Sequence, residues 1–107
     1  ASALEAMERE SKRLSARYEV RNGLAICDAT RRQGPYDKTE LLLMGQRLAP
    51  ISLVHDETTV TVAARFDSGI DLVRALGLNG GMPTRVSVAA KRLHEVIEVL
   101  SAFGAAP

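Results

Sequence analysis

The sequence predicts an α+β domain, a small sheet backed by helices in a two-layer sandwich. Three observations carry that prediction. Two runs with alternating apolar residues, VTVAAR at 60–65 and VSVAAK at 86–91, read as strands. Two runs with helical periodicity that end in glycine, IDLVRALG at 70–77 and IEVLSAFG at 97–104, follow them. Gly, Pro and Asn punctuation at 33–35, 50 and 79–83 cuts the chain into short elements.

The chain has 107 residues, the length of one domain. Hydrophobic residues make up 46% and aromatic residues 4%, with no Trp, so the core is aliphatic. Fourteen basic and thirteen acidic residues leave a formal charge of +1. A phosphate-backbone binder carries a marked basic excess, so nucleic acid is not an expected partner. The single cysteine, Cys27, has no partner for an internal disulfide. No run approaches 18 apolar residues, and no signal peptide is visible. The chain starts at Ala1, so either the initiator was removed or this is a fragment of something longer.

Taken in order, residues 2–17 (SALEAMERESKRLSAR) read as a helix rich in strong helix formers, without Gly or Pro. Leu4, Met7, Leu14 and Tyr18 fall on a and d positions of a heptad, interrupted by Ser11 and Arg21. Such a polar helix needs a partner surface: the rest of the domain, a second copy, or a membrane-proximal neighbour. Asn22-Gly23 marks a break or kink, after which Leu24, Ala25, Ile26 and Ala29 continue an apolar face up to Arg31-Arg32. Gln33-Gly34-Pro35 stops it. Residues 1–33 therefore read as an N-terminal helical segment for dimerisation or membrane proximity, and 36–107 as the small α+β domain.

Within that domain, Tyr36 to Ala49 reads as a helix with Asp37 as N-cap, Glu40 completing a capping box, and Leu41, Leu42, Met44 and Leu48 as its apolar stripe. Ile51–Val54 and Thr58–Arg65 read as a hairpin turning at Asp56-Glu57. Asp67 and Ser68 cap a helix over Gly69–Leu76, which ends near Gly77. Asn79-Gly80-Gly81 and Pro83 form a loop, and Thr84–Ala90 is a strand. The segment Arg92–Phe103 reads two ways. As a helix it aligns Leu93, Val96, Ile97, Leu100 and Phe103; as a strand it alternates Val96, Glu98 and Leu100 against Ile97 and Val99. The helix is preferred, because the strand needs a turn at Leu93-His94-Glu95 that has no Gly, Asn or Pro.

The paired hexads and paired glycine-ended runs are either two strand-helix units or the chance likeness of two amphipathic segments. If the repeat is real, the last segment is helical like the one before it. On either reading Val60, Val62, Leu72, Leu76, Val86 and Val88 belong to the core.

Groups suited to catalysis are sparse. His55-Asp56-Glu57 is the densest titratable run, at a hairpin tip where charges serve solubility. His94 reads as exposed and Cys27 as a small buried hydrophobe. Two histidines and one distant cysteine do not make a zinc set. Asn79-Gly80-Gly81 precedes a strand, the wrong polarity for a phosphate loop. Arg31-Arg32 and Lys91-Arg92, without interleaved aromatics, do not make a nucleic-acid surface. No enzyme, cofactor, metal or small-molecule substrate is expected.

Two binding readings remain. The strand at 59–65, the helix at 68–77, a glycine turn and a second helical segment follow a ribbon-helix-helix order, and LVRALGLNGG carries a helix-turn-helix-like turn. That would be a small dimeric DNA-binding regulator. The other reading is an assembly scaffold. Counted from Tyr36, the order is αββαββ, or αββαβα if the last element is helical, a ferredoxin-like sandwich behind an N-terminal helix. The helix at 2–17, DKTELLLMGQRLAP leading into ISLVHDETTVTVAARF, and DLVRALGLNGGMPTRVSVAA together resemble the periplasmic domains of bitopic inner-membrane proteins of type II secretion and type IV pilus machines. The resemblance implies a non-catalytic domain, periplasmic and tethered by a segment upstream of Ala1, or cytoplasmic if no such segment exists. It implies a homodimer, or a heterodimer with a sister subunit. Contacts would use an edge strand or the exposed face of the third helix, with Asp71 and Arg74 pairing across a two-fold axis.

Overall fold

The computed structural model describes residues 5, 9, 18–30 and 36–103. Only positions 5 and 9 of the helix expected over 2–17 are among them, so that expectation lies outside the described residues, as do Arg31-Arg32 and Gln33-Gly34-Pro35. The elements are β1 (Tyr18–Arg21), β2 (Leu24–Asp28), α1 (Lys38–Leu48), β3 (Ile51–His55), β4 (Thr59–Ala63), α2 (Phe66–Leu76), β5 (Arg85–Ala89), a 3₁₀ turn (Ala90–Arg92) and α3 (Leu93–Phe103). The domain is α+β, with one mixed sheet of five strands in sequential order. All neighbours are antiparallel except β2 and β3, which are parallel and joined through α1.

From Tyr36 the order is αββαβα, the one of the two expected orders that goes with the preferred helical reading of the last segment. One expectation is corrected here: Tyr18–Asp28 is not a helical continuation but a hairpin. Asn22 (φ 51°) and Gly23 (φ 78°) form its two-residue loop, the left-handed pair of a type I′ turn, whose twist matches that of the flanking strands. β2 then pairs with β3 in register Leu24↔Ile51 to Asp28↔His55, so the sheet runs across the boundary expected near residue 33.

Each strand's alternate residues divide between two cores. Leu24, Ile26, Ile51, Leu53, Val60, Val62 and Val86 face α2 (Leu72, Leu76) and α3 (Val96, Leu100). Ala25, Cys27, Val54 and Ala63, with Tyr18, face α1 (Leu41, Leu42). The expected two-layer stacking holds for α2 and α3, which share one face; α1 lies across the other. Every residue expected in the core is there, with Val88 only partly buried.

Helix ends follow the local chemistry. Asp37 caps α1, its side chain accepting from Glu40 N at 2.9 Å. α2 starts at Phe66, three residues before the expected Gly69. Arg65 holds its N-cap position without a side-chain bond, and Asp67 sits in the first turn, where an acid suits the helix dipole. Gly77 (φ 69°) closes α2 in the left-handed conformation.

The repeated hexads lie side by side. VTVAAR and VSVAAK supply β4 and β5, paired as Val60↔Val88, Thr61↔Ser87 and Val62↔Val86. The antiparallel pair is thus close to two-fold symmetric about the Thr61–Ser87 position, where the two hydroxyls stand 3.4 Å apart. Each strand leads into a helix on the same face, α2 and α3. This is the helical last segment that two strand-helix units require.

Candidate functional site

β5 ends the sheet and has a partner, β4, on one side only among the described residues. Ala90 N donates to Thr58 O at 3.0 Å, and Ala64 N donates to Thr84 O at 3.2 Å. Antiparallel ladders alternate, so the even-numbered residues of β5 turn their backbone groups to β4. The N–H and C=O of Ser87, the N–H of Ala89 and the carbonyl of Arg85 point away from the sheet, while the Ala89 carbonyl belongs to the 3₁₀ turn that it caps. The Arg85 N–H is taken by Met82 O at 3.0 Å. Arg85, Ser87 and Ala89 are exposed. Proteins commonly guard such an edge with inward charges, proline or a bulge. β5 has only Arg85 at its start, with Pro83 two residues before it. The opposite edge differs: β1 presents Glu19 and Arg21, ion-paired at 3.0 Å and both exposed.

Exposed apolar side chains gather where the chain enters β5. Met82 is 66% exposed and Phe66 57%. Phe66 lies one turn before Gly69, and Gly69 abuts the backbone of Pro83 so closely that a Cβ there would overlap the Pro83 carbonyl. The loop holding Met82 and Pro83 is thereby pressed against the start of α2. On that helix Asp71 and Arg74, the residues expected to make partner contacts, are exposed and one turn apart. The structure thus joins both expected contact surfaces, edge strand and α2, in one region. No sequence signal marked Phe66 or Met82, since an apolar residue at a helix start or in a loop reads as core.

The titratable groups are turned to structural work. Asp56 Oδ1 accepts from Thr58 N (2.8 Å), Thr58 Oγ1 (2.9 Å) and Thr59 N (2.9 Å), closing the β3–β4 turn. Its Oδ2 pairs with Lys38 Nζ at 2.8 Å. The Lys38 ammonium, with the Thr59 and Thr58 N–H groups behind it, holds the Asp56 carboxyl well below the usual carboxylate range. Lys38 also donates to Thr59 Oγ1, so the start of α1 is tied to the hairpin tip. The sequence reading missed this link, whose only signal was an Asp ahead of two threonines at a turn. His55 is half-buried at the end of β3, opposite Asp28 of β2, whose Oδ1 accepts from Thr30 N (2.9 Å) and Thr30 Oγ1 (2.6 Å). His94 is exposed. Asn79–Gly81 is a loop, with Gly80 and Gly81 at positive φ.

Under α1, Tyr18 donates its hydroxyl to the Leu41 carbonyl. Burial, and then the neighbouring Cys27, push the Tyr18 phenol up. Cys27 itself is fully buried. Among the described residues no three His, Cys, Asp or Glu side chains group to hold a metal. An open cleft of about 80 Å³ between the β1–β2 turn and α3, lined by Arg21, Asn22, Ile97 and Ser101 among others, is far smaller than the roughly 300–1,000 Å³ of ligand pockets.

No protein-family model matches the chain, and no curated protein matches it. A similar solved structure is the pGpG-specific phosphodiesterase PggH from Vibrio cholerae, with a TM-score of 0.56 over 85% of this chain and 37% of that one, at 12% sequence identity. At that identity the likeness is one of fold, and this chain spans well under half of the neighbour's length.

Proposed function

We propose that this chain is a protein–protein interaction domain that assembles through its sheet edge, with itself or with a sister subunit. One observation carries the reading: among the described residues, β5 presents the outward N–H and C=O of Ser87, the Ala89 N–H and the Arg85 carbonyl along an almost unguarded edge, beside the exposed Phe66 and Met82. An added strand satisfies those groups, and the flanking apolar side chains add buried area. α2, with Asp71 and Arg74 in solvent, borders the same region and supplies charges of both signs for a self-complementary contact. The sequence resemblance supports a setting in a secretion or pilus assembly platform, with the chain tethered at the inner membrane. α3 is a helix where the αββαββ order has a strand, so the proposal rests on the edge and not on the resemblance.

Photo-crosslinking from position 85 or 82 in cells producing the chain tests it. The expected product is an adduct whose partner is a second copy or a chain of related sequence. Absence of such an adduct from both positions, with the domain folded, would overturn the reading.

A further inference from the structure

We infer that two copies of this chain join through β5, antiparallel, with Ser87 of one copy opposite Ser87 of the partner subunit. The inference rests on the assembly reading and gives it a partner and a register. β5 already pairs with a near copy of itself. β4 reads TVTVA and β5 RVSVA, and within the chain they lie antiparallel with Thr61 opposite Ser87. A second β5 set on the free edge in the same register puts Val86 opposite Val88, Ser87 opposite Ser87, and Arg85 opposite Ala89. The valine pairs repeat those that β4 and β5 already make, Val62↔Val86 and Val60↔Val88. Like charges are kept apart, because each Arg85 faces an alanine.

The hydrogen-bond phase agrees. The outward backbone groups belong to the odd-numbered residues of β5. A two-fold axis at Ser87 makes Ser87 opposite Ser87 a hydrogen-bonded pair, which needs the N–H and C=O of that residue to face out. An axis on Val86 would use the same outward groups but put Val88 opposite Thr84, and one on Val88 would put Arg85 opposite Lys91, so the side-chain pairs and not the ladder phase select Ser87. The small exposed side chains of Ser87 and Ala89 let the backbones approach, and the two sheets become one of ten strands.

Sedimentation of the 107-residue chain over a concentration range, with three variants, tests the register. Ser87→Pro removes the outward N–H and leaves the β4–β5 ladder whole, because that N–H does not face β4. It is expected to raise the dimer dissociation constant at least about tenfold. Should S87P not fold, S87K and S87E serve, since their side chains project into solvent. Each alone places like charges directly across the axis and is expected to be monomeric. Mixed together, S87K and S87E are expected to pair. That rescue depends on residue 87 meeting itself. A wild-type dimer that persists in S87K and in S87E would overturn the β5 register and leave the assembly reading standing. A wild-type chain monomeric at every concentration would overturn self-pairing, and the crosslinking from positions 82 and 85 would then decide for or against a sister subunit.

Discussion

Gly45 and Ser52 occupy one space between α1 and β3. A Cβ on Gly45 would overlap Ser52 Oγ and stand 2.9 Å from Ser52 Cβ and 2.8 Å from Tyr18 Cε1. Glycine in mid-helix is unfavourable by about 1 kcal/mol against alanine, yet here it lets the helix lie on the sheet. Ser52 Oγ is buried by that contact and, among the described residues, has no hydrogen-bond partner of good geometry. The pair is a close backbone approach and not a polar site.

Gly45→Ala should therefore destabilise, against its helix propensity. Overpacking of this kind costs roughly 1–3 kcal/mol, which outweighs the propensity gain. Ser52→Gly in the G45A background should recover part of the loss, because it removes two of the three overlaps and leaves Tyr18. Urea unfolding of the two single variants and the double variant checks this. Simple additivity of the two substitutions would show that the residues do not share the space.

Asp56 fixes a second prediction, in pH. Its folded pKa lies below the ordinary carboxylate value, chiefly through Lys38. The unfolded state thus binds the proton more readily, and the group adds stability above the unfolded pKa of about 4 that is lost as pH falls toward the depressed value. Thermal unfolding from neutral pH to about pH 2 should show this acid loss in wild type and a shallower one in Asp56→Asn. At neutral pH, D56N keeps an oxygen acceptor for Thr58 and Thr59 and should cost less than about 1 kcal/mol. Asp56→Ala loses the turn bonds too and should cost about 1–2 kcal/mol.

The sequence was legible where polar letters mark one face of an element. α1, with its Asp37 cap and apolar stripe, and β4 and β5, whose valines alternate with threonine or serine, read correctly because that alternation is written in the letters, even though Thr61 is buried in the fold. β2 failed for the opposite reason. Leu24 to Cys27 is buried on both sides of the sheet, so its LAIC run has no alternation and passes for a helical stripe. The Asn22-Gly23 pair did carry the signal of a two-residue hairpin, but the helix pattern before it masked it. The candidate edge was legible as a strand and not as an edge. Which strand ends a sheet is decided by pairings far apart in sequence, such as Leu24 with Ile51. The link from Lys38 to Asp56 was hidden in the same way.

Arg92 yields the last prediction. From the sequence it was half of a basic pair; in the fold its Nη2 donates to the Leu76 carbonyl at 2.8 Å and its Nε to Glu95 Oε1 at 2.7 Å. The last carbonyls of a helix lack partners within it and carry the negative end of its dipole. A guanidinium there, held in place by Glu95, satisfies one of them and ties the start of α3 to the end of α2. Arg92→Ala should cost about 1 kcal/mol and speed amide exchange in the last turn of α2 and through Gly77 and Leu78. Glu95→Ala removes only the orienting ion pair, which is largely exposed, and should cost less than about 0.5 kcal/mol with little change in that exchange. If R92A exchanges like wild type over residues 73–78, the contact with Leu76 contributes nothing, and α2 is closed by its glycine cap alone.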